Sequence, residues 1–365
     1  MEIREITLAE LQDFIRSDLY LKASGIPITP MRAMSQMHNP HADPDDVVLF
    51  TAYSDEGELL AYVGALPDRL RDGTKIVWNS CWYAHPEKAQ TVALPLFLQF
   101  VRKWQGKILI RDLTPHTRKI VAALSHFRLL KIQPKIRYFT RYYFADLLTR
   151  KWPQMVFLKY PLKLMDGFVN IPVVWQQRNW LKRFASNTNS IVVPLTGWDD
   201  ALRKFISGHQ TNELSARGPE ELKWVMKYPW LDSASKENKW LTQKYFFSSL
   251  AESFHYYPIK ILLNDELIGF ALLKEREHHF EVSYCYAKDH SLREICICLV
   301  RFMFSENMRS LAVANKSLLH ELTKMKLPFI FRRTTKEELY ASKELATKIA
   351  YEIILQDGDG DVVFT

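Results

Sequence analysis

The chain has 365 residues, of which 47% are apolar, 13% aromatic, 17 proline and only 12 glycine, and its formal net charge is +8. A glycine share of about 3%, against about 7% in average usage, excludes collagen-like and glycine-repeat architectures, and neither G-x-G-x-x-G nor G-x-x-x-x-G-K-[ST] occurs. The apolar content excludes disorder, and the length predicts about two domains.

The opening run, Met1-Glu-Ile-Arg-Glu-Ile-Thr, lacks the basic-then-apolar pattern of a secretory leader, and no uncharged apolar stretch reaches about 18 residues. Four cysteines (Cys81, Cys285, Cys296, Cys298) do not make a disulfide framework. The expectation is a reduced, cytoplasmic protein. In chain order, a β-like run over Glu2–Thr7 leads into an amphipathic helix over Leu8–Arg16. Strands over Val47–Tyr53 and Leu59–Leu66 flank the acidic turn Ser54-Asp-Glu-Gly57 and read as a hairpin. A strand over Lys75–Tyr83 leads through a polar loop to an apolar helix over Thr91–Trp104. A short strand over Ile108–Leu113 follows, then a helix opened by Thr114-Pro-His-Thr.

The charge is concentrated in the middle. Residues 101–190 hold 18 basic and 3 acidic residues, a net +15 that leaves −7 for the rest. Aromatic and basic residues alternate from Arg150-Lys-Trp-Pro through Trp175-Gln-Gln-Arg-Asn-Trp-Leu-Lys-Arg-Phe, and Pro153, Pro161 and Pro172 are expected to interrupt any helix. Three readings stay open. The segment is a linker whose aromatics pack on its neighbours, a surface that docks peripherally on an anionic membrane at its inner face, or one that tracks nucleic acid or another polyanion.

The second half opens with a β-like run over Ser190–Leu195 and a helix over Trp198–Ser207. Arg217-Gly-Pro-Glu-Glu-Leu-Lys-Trp224 has the proline and acids of a helix start, ahead of Tyr228-Pro-Trp230. Strands over Ile259–Leu263 and Leu267–Leu273 flank Asn264-Asp-Glu266. Lys274-Glu-Arg-Glu-His-His reads as a charged hairpin turn more readily than as a metal site, although Glu277 and Glu281 flank His278 and His279. A strand over His279–Tyr286, a helix over Leu292–Glu306, a strand over Leu311–Ala314 and a helix opened by Asn315-Lys-Ser complete the series. Cys296-x-Cys298 has no second ligand pair at zinc spacing. Asp357, Asp359 and Asp361 alternate with glycine but lack the twelfth-position Glu of a calcium loop, so turns and a strand over Val362–Phe364 are expected. No metal is expected.

Two stretches match at an offset of 203 residues: Tyr83-Ala84 falls on Tyr286-Ala287, Gln90 on Arg293, Ala93 on Cys296 and Phe97 on Val300. A period this long means duplicated domains. The order β-α-(α)-β-β-β-α-β-α-β, read twice, predicts an α+β protein of mixed α/β layers, each module a mixed, mainly antiparallel sheet flanked by helices. The expected division is 1–146, a basic and aromatic linker over 147–189, and 190–365.

This order, above all strand–polar loop–helix–strand–helix, resembles the GNAT-type N-acyltransferase superfamily. There the loop after the fourth strand carries R/Q-x-x-G-x-G/A, and its amides hold the coenzyme A pyrophosphate. The matching positions are Gln90-Thr-Val-Ala93-Leu-Pro95 and Arg293-Glu-Ile-Cys296-Ile-Cys298. Both keep Gln or Arg and replace the glycines, and Pro95 lacks an N–H, so the second loop is the better preserved. The family's helix tyrosine has no counterpart near Ala122 or Thr323.

The resemblance implies transfer of an acetyl or longer acyl group from acyl-CoA to an unknown amine. In the second module the candidate catalytic groups are Glu281, Tyr284 and Tyr286, with His255, Tyr256 and Tyr257 just before the hairpin. The candidate cofactor contacts are Cys285, Ala287, Arg293, Glu294, Ile295, Cys296, Cys298 and Asn315, with Gln90 and Ala93 in the first module. Strand alternation puts Tyr284 and Tyr286 on one face and Glu281, Ser283 and Cys285 on the other, unless a bulge intervenes. Alternatives are a Fem-like transferase that uses aminoacyl-tRNA, favoured by the basic middle, and a degenerate pair kept as a binding or membrane-associated scaffold.

Overall fold

The computed structural model describes residues 1–185, 189–210, 212–215, 217–325, 327–349 and 352–365. Strand β1 (Glu2–Thr7) precedes the short helices α1 (Leu11–Arg16), α2 (Asp18–Lys22) and α3 (Pro30–Met37). Ser17 caps α2 by accepting from Tyr20 N at 3.3 Å, and Thr29 caps α3 from Arg32 N at 3.2 Å with Pro30 at its first position. Strands β2 (Val47–Tyr53), β3 (Leu59–Arg69) and β4 (Lys75–Ala84) form a meander. Helix α4 (Ala93–Lys103), strand β5 (Ile108–Arg111), helix α5 (Pro115–Ala123) and strand β6 (Phe127–Phe139) follow. The expected cap on α5 is present, Thr114 accepting from Thr117 N at 3.2 Å.

The basic segment is helical: α6 (Phe144–Lys151), a 3-10 turn over Pro153–Leu158, and α7 (Lys159–Ala185). The expected interruptions at Pro161 and Pro172 do not occur. Pro161 lies in the first turn, where no N–H is needed. The bond that Pro172 removes runs to the carbonyl of Phe168, on a stretch exposed to solvent.

Strand β7 (Ser190–Pro194), helices α8 (Asp200–His209) and α9 (Pro219–Lys227), the two-residue β8 (Asp232–Ser233), α10 (Trp240–Lys244) and β9 (Leu250–Ala251) come next. A second meander, β10 (Phe254–Leu263), β11 (Glu266–Arg276) and β12 (His279–Ala287), leads to α11 (Leu292–Ser305), β13 (Ser310–Val313), α12 (Lys316–Lys324), β14 (Phe331–Ser342) and α13 (Lys343–Ala346). Its turns are two-residue and left-handed, at Asn264 and Asp265 (φ 48° and 64°) and at Glu277 and His278 (φ 53° and 66°). His278 therefore belongs to a hairpin turn, and His279 opens β12, paired with Arg276. The strand expected over Val362–Phe364 is instead a 3-10 turn, closed by Phe364 N to the Asp361 carbonyl at 3.1 Å, and it buries Phe364 against Trp230.

The chain packs into two compact units whose sequence segments alternate, unlike the linear division expected at 146 and 190. Unit 1 comprises residues 1–133, 198–254 and 336–365, and unit 2 comprises 134–197 and 255–335. Unit 1 orders its strands β1-β2-β3-β4-β5-β14, and all pairs are antiparallel except β4–β5. Unit 2 orders them β6-β13-β12-β11-β10-β7, with β12 and β13 parallel. In unit 1, α4 buries Leu96, Phe97 and Phe100 on one sheet face, while α1 and Tyr245 cover Tyr53 and Tyr62 on the other. In unit 2, α11 buries Ile295 through Val300 over Ala271, Leu273, Phe280 and Val282.

Both units carry a β-bulge at the same repeat position. Gly64 faces Cys81 and Ala65 faces Asn79, so Ser80 is the extra residue in β4. Leu272 faces Tyr284 and Leu273 faces Val282, so Ser283 is the extra residue in β12. The two serines are separated by the repeat offset. Glycine is required opposite the first bulge, because a Cβ on Gly64 would lie 2.5 Å from Cys81 Sγ and 2.7 Å from Ser80 Oγ. Gly64→Ala should therefore cost about 1–3 kcal/mol through overpacking. The check is a urea midpoint that falls at unchanged slope; an unmoved midpoint would show that the bulge yields freely.

Candidate functional site

In unit 1 the parallel neighbours β4 and β5 stay paired only as far as Asn79 and Ile110. Strand β4 runs on to Ala84 against β3, while the chain leaves β5 at Asp112, held at φ 55°. The fork leaves β4 from Ser80 onward without a strand partner on its β5 side. A cavity of about 540 Å³ opens here, lined by Trp82, Tyr83, Gln90, Ala93, Thr114, His116, Phe246 and Phe247. Its aromatic walls are stacked in place, Trp82 on Phe97 at 4.2 Å and Tyr83 on Phe246 at 3.7 Å. Where α4 starts, Val92 N and Ala93 N already bond the Ala89 carbonyl at 3.1 and 3.0 Å, and Pro95 has no N–H. The remaining amide donors of this turn are those of Gln90, Thr91 and Leu94.

Residues 356–361 form a turn that reaches the bulge residue of the fork through Arg32. Buried Arg111 donates to the carbonyls of Gln356, Asp357 and Asp359 at 3.1, 3.1 and 2.9 Å and to the Glu337 carboxylate at 2.5 Å. Buried Arg217 donates to the carbonyls of Gly358 and Gly360 at 3.1 and 2.9 Å and to Asp68 at 2.9 Å. Gly360 sits at φ 74° where a Cβ would come within 3.1 Å of the Trp78 ring, so the turn also needs its glycine. This turn brings Asp361 to 3.8 Å from Arg32. Arg32 lies over the Trp230 ring at 3.9 Å, binds the Tyr245 hydroxyl, and donates to the carbonyl of the bulge residue Ser80 at 3.2 Å. Asp361 is thus two contacts from the fork. Its side chain is 24% exposed, and burial pushes its carboxyl up to about 6, with Arg32 opposing and Asp112 adding to the shift.

Asp68 also anchors His41, whose Nδ1 lies 2.7 Å from Asp68 and whose Nε2 lies 3.0 Å from Glu221. Burial opposes a charge on this ring, but the two carboxylates outweigh it and push His41 up to about 9.

In unit 2 the corresponding fork is filled. Strands β12 and β13 part after Glu281 and Ala312, and Cys285, Ile295, Cys296 and Leu318 belong to one buried core cluster. Burial pushes the Cys285 thiol up to about 12 and raises that of Cys296. Cys298 lies 3.3 Å from Ser190 Oγ, and Asn315 caps α12 by accepting from Leu318 N at 3.1 Å. Ala287 pairs with Gly269 at the strand end. Arg293 and Glu294 stand in the first turn of α11. Arg293 borders a separate cavity of about 770 Å³ that Trp180, Phe184 and Lys324 also line.

The expected strand alternation is corrected by the bulge at Ser283. Phe280, Val282 and Cys285 all face the core under α11, which turns Glu281 to the face of Tyr284 and Tyr286. Glu281 is buried and ion-paired with Lys135 at 2.9 Å, Lys274 at 3.2 Å and Arg137 at 3.8 Å. Burial alone would raise its carboxyl, but these cations hold it well below the usual range. Tyr284 and Tyr286 are fully buried, and Tyr257 packs on Phe280 at 5.1 Å. The helix expected from Arg217 starts at Pro219, and its Trp224 donates to the Ser35 carbonyl at 2.8 Å. Among the described residues no group of three His, Cys, Asp or Glu is arranged to hold a metal ion.

The structure therefore joins Gln90 and Ala93 at an open cavity and encloses Cys285, Ile295 and Cys296 in a core. Arg32 and Phe246 have no sequence signature, and Asp361 stands out in the sequence only as one of three alternating acids weighed as a calcium loop. The one sequence signal was the Asp-Gly-Asp-Gly-Asp run, whose Gly360 takes the positive φ that the turn over the buried arginines uses. His41 yields a pH test. Its folded value lies above the ordinary 6.5, so its stabilisation is fully present below pH 6.5 and is lost as pH rises through about 9. The urea midpoint should fall across that window, and His41→Gln should remove most of the slope; an equal slope in the variant would reject the imidazolium.

No family model matches the sequence, and no curated protein does. Among solved structures, a conserved Enterococcus faecalis protein named "Probable N-Acyltransferase" aligns at TM-score 0.51 and 12% identity, over 94% of this chain and 73% of its own. The Saccharomyces cerevisiae N-myristoyltransferase with bound myristoyl-CoA aligns at TM-score 0.49 and 10% identity, over 93% and 82%. A GCN5-related N-acetyltransferase of Kribbella flavida aligns at TM-score 0.44 and 10% identity, over 93% and 71%. At 12% identity the likeness to the Enterococcus faecalis protein shows a shared fold, and in this chain each unit carries a forked pair of parallel strands.

Proposed function

We propose that the chain is an N-acyltransferase that takes an acyl-CoA in the β4–β5 fork of unit 1 and passes its acyl group to an amine. The open cavity at that fork, beside the start of α4, carries this reading. Its stacked aromatic walls suit an acyl chain or pantetheine. The amides of Gln90, Thr91 and Leu94, at the positive end of an 11-residue helix, suit a pyrophosphate. The likeness to the Enterococcus faecalis protein supports the same reaction class. The reading moves the donor site from the second module, where the loop sequence pointed, to the first.

In this reading a β4 amide at the fork polarises the thioester carbonyl. The Asp361 carboxylate takes a proton from the attacking amine as the new C–N bond forms. The C–S bond then breaks, and the departing thiolate takes up a proton to leave as the free thiol.

Calorimetry with acetyl-CoA and longer acyl-CoAs tests the donor site. Ala93→Glu, which sets a carboxylate at the pyrophosphate position, should weaken binding by about tenfold or more, while Arg293→Ala changes it by less than about twofold. The reverse pattern would return the site to unit 2, and no binding to the wild type would remove acyl-CoA altogether. Nothing at the fork favours an aminoacyl-tRNA donor; steeply salt-dependent tRNA retention without acyl-CoA binding would reverse that choice.

The base is tested separately. With its carboxyl near 6, kcat/KM should rise with pH through about 6 as Asp361 ionises. Asp361→Asn should cut kcat by about 10²–10⁴-fold with little change in donor affinity. A variant within about twofold of wild type would rule Asp361 out as the base.

A further inference from the structure

Eleven of the 23 large apolar side chains that stand exposed among the described residues fall between Leu147 and Trp175, too dense a cluster for ordinary surface scatter. Phe157 (76% exposed), Tyr160 (81%), Leu164 (69%), Phe168 (72%), Ile171 (63%) and Trp175 (65%) are the most prominent. All belong to unit 2, on α7 and the 3-10 turn before it.

The first half of α7 is inverted relative to an ordinary surface helix. Between Lys159 and Ile171 only Leu162, Asp166 and Asn170, spaced four apart, are partly covered. Two of these three are polar. Asp166 accepts from Phe144 N at 2.8 Å and Ala145 N at 3.0 Å, and Asn170 joins Tyr142 N at 2.8 Å and Tyr142 O at 2.9 Å. Polar groups hold the helix inward while aromatic and aliphatic ones face outward. The second half is anchored, with Gln177 donating to the Thr140 carbonyl at 2.7 Å and Trp180 buried.

The charge around this apolar face has one sign. Lys151, Lys159, Lys163, Arg178, Lys182 and Arg183 accompany it, and the one acid between them, Asp166, is spent on capping α6. Trp175 stands between two recesses of net positive charge, one lined by Arg141, Arg178 and Asp166 and the other by Arg183, Arg293, Lys324 and Glu321. A second copy of this face would set these cations against themselves, whereas an anionic bilayer matches both the charge and the apolar depth. No helix among the described residues is long and apolar enough to cross a membrane.

We propose that α7, with the 3-10 turn before it, is a peripheral docking element that lies on an anionic phospholipid surface, its aromatics in the headgroup layer and its Lys and Arg on lipid phosphates. This stands independently of the acyl-transfer reading.

The full chain should co-sediment with phosphatidylcholine vesicles that contain about 30% phosphatidylglycerol, and at least about tenfold less with phosphatidylcholine alone or in about 0.5 M salt. The double variant Phe157→Glu, Phe168→Glu changes only exposed positions. It should lose at least about tenfold of that binding while keeping the wild-type melting temperature. Failure of the wild type to bind anionic vesicles at low salt, or binding by the double variant equal to wild type, would overturn the proposal. So would a micromolar dimer in sedimentation equilibrium that the double variant dissolves, since a second copy would then cover this face.

Discussion

Unit 1 depends on two buried arginines that hold one turn. Arg111 and Arg217 each direct a guanidinium at backbone carbonyls between Gln356 and Gly360, and each also meets a buried carboxylate, Glu337 or Asp68. A buried charge is costly unless it is paired and hydrogen-bonded, and here carbonyl dipoles and acids together meet the terminal nitrogens of both guanidinium groups. Because Arg111 ends β5 and Asp68 lies near the end of β3, the turn is tied to two strands of the forked sheet. Asp361, the next residue, inherits its position from that tie.

The two forks share a plan and differ in filling. Each has a parallel pair of short overlap, a bulge at the repeat position and a helix beginning just beyond. In unit 2, Cys285 and Cys296 join Ile295 and Leu318 in the core, and Ile295 approaches Gly269 so closely that a Cβ there would lie 2.8 Å from its Cδ1. In unit 1 the matching residues are Trp82, Tyr83 and Ala93, with Trp82 and Tyr83 held by stacking partners at the open cavity. The glycines missing from both loops have different consequences. In unit 2 small apolar residues stand there above a closed core; at α4 the exposed residues Gln90, Thr91 and Leu94 keep their amide N–H groups despite Pro95.

Much of this was legible because it is local. The caps at Thr114 and Asn315, the tight turn at Asn264-Asp265, and the strands of both meanders follow from residue chemistry within a few positions. The 203-residue repeat identified the modules. The bulges were not legible, since Ser80 and Ser283 have no distinguishing side-chain chemistry, and one extra residue reverses which face Glu281 occupies. Pro172 misled for a related reason: its steric rule is local, but its cost depends on whether water can reach the orphaned carbonyl. Nor could pattern reveal that residues 336–365 complete the unit begun by residues 1–133, because that pairing is a matter of topology.

That topology has a bearing on how the protein comes to be folded. Unit 1 receives strand β14 and the arginine-bound turn from positions more than two hundred residues after its first strands. During synthesis β4 and β5 therefore emerge long before β14 can pair with β5, and Arg111 waits without the carbonyls that will satisfy it. Such distant closure makes folding slow and leaves a sheet edge exposed in the meantime. Unit 2, whose last residue is Thr335, has its full complement of strands first. The module that begins the chain is thus the last to be finished.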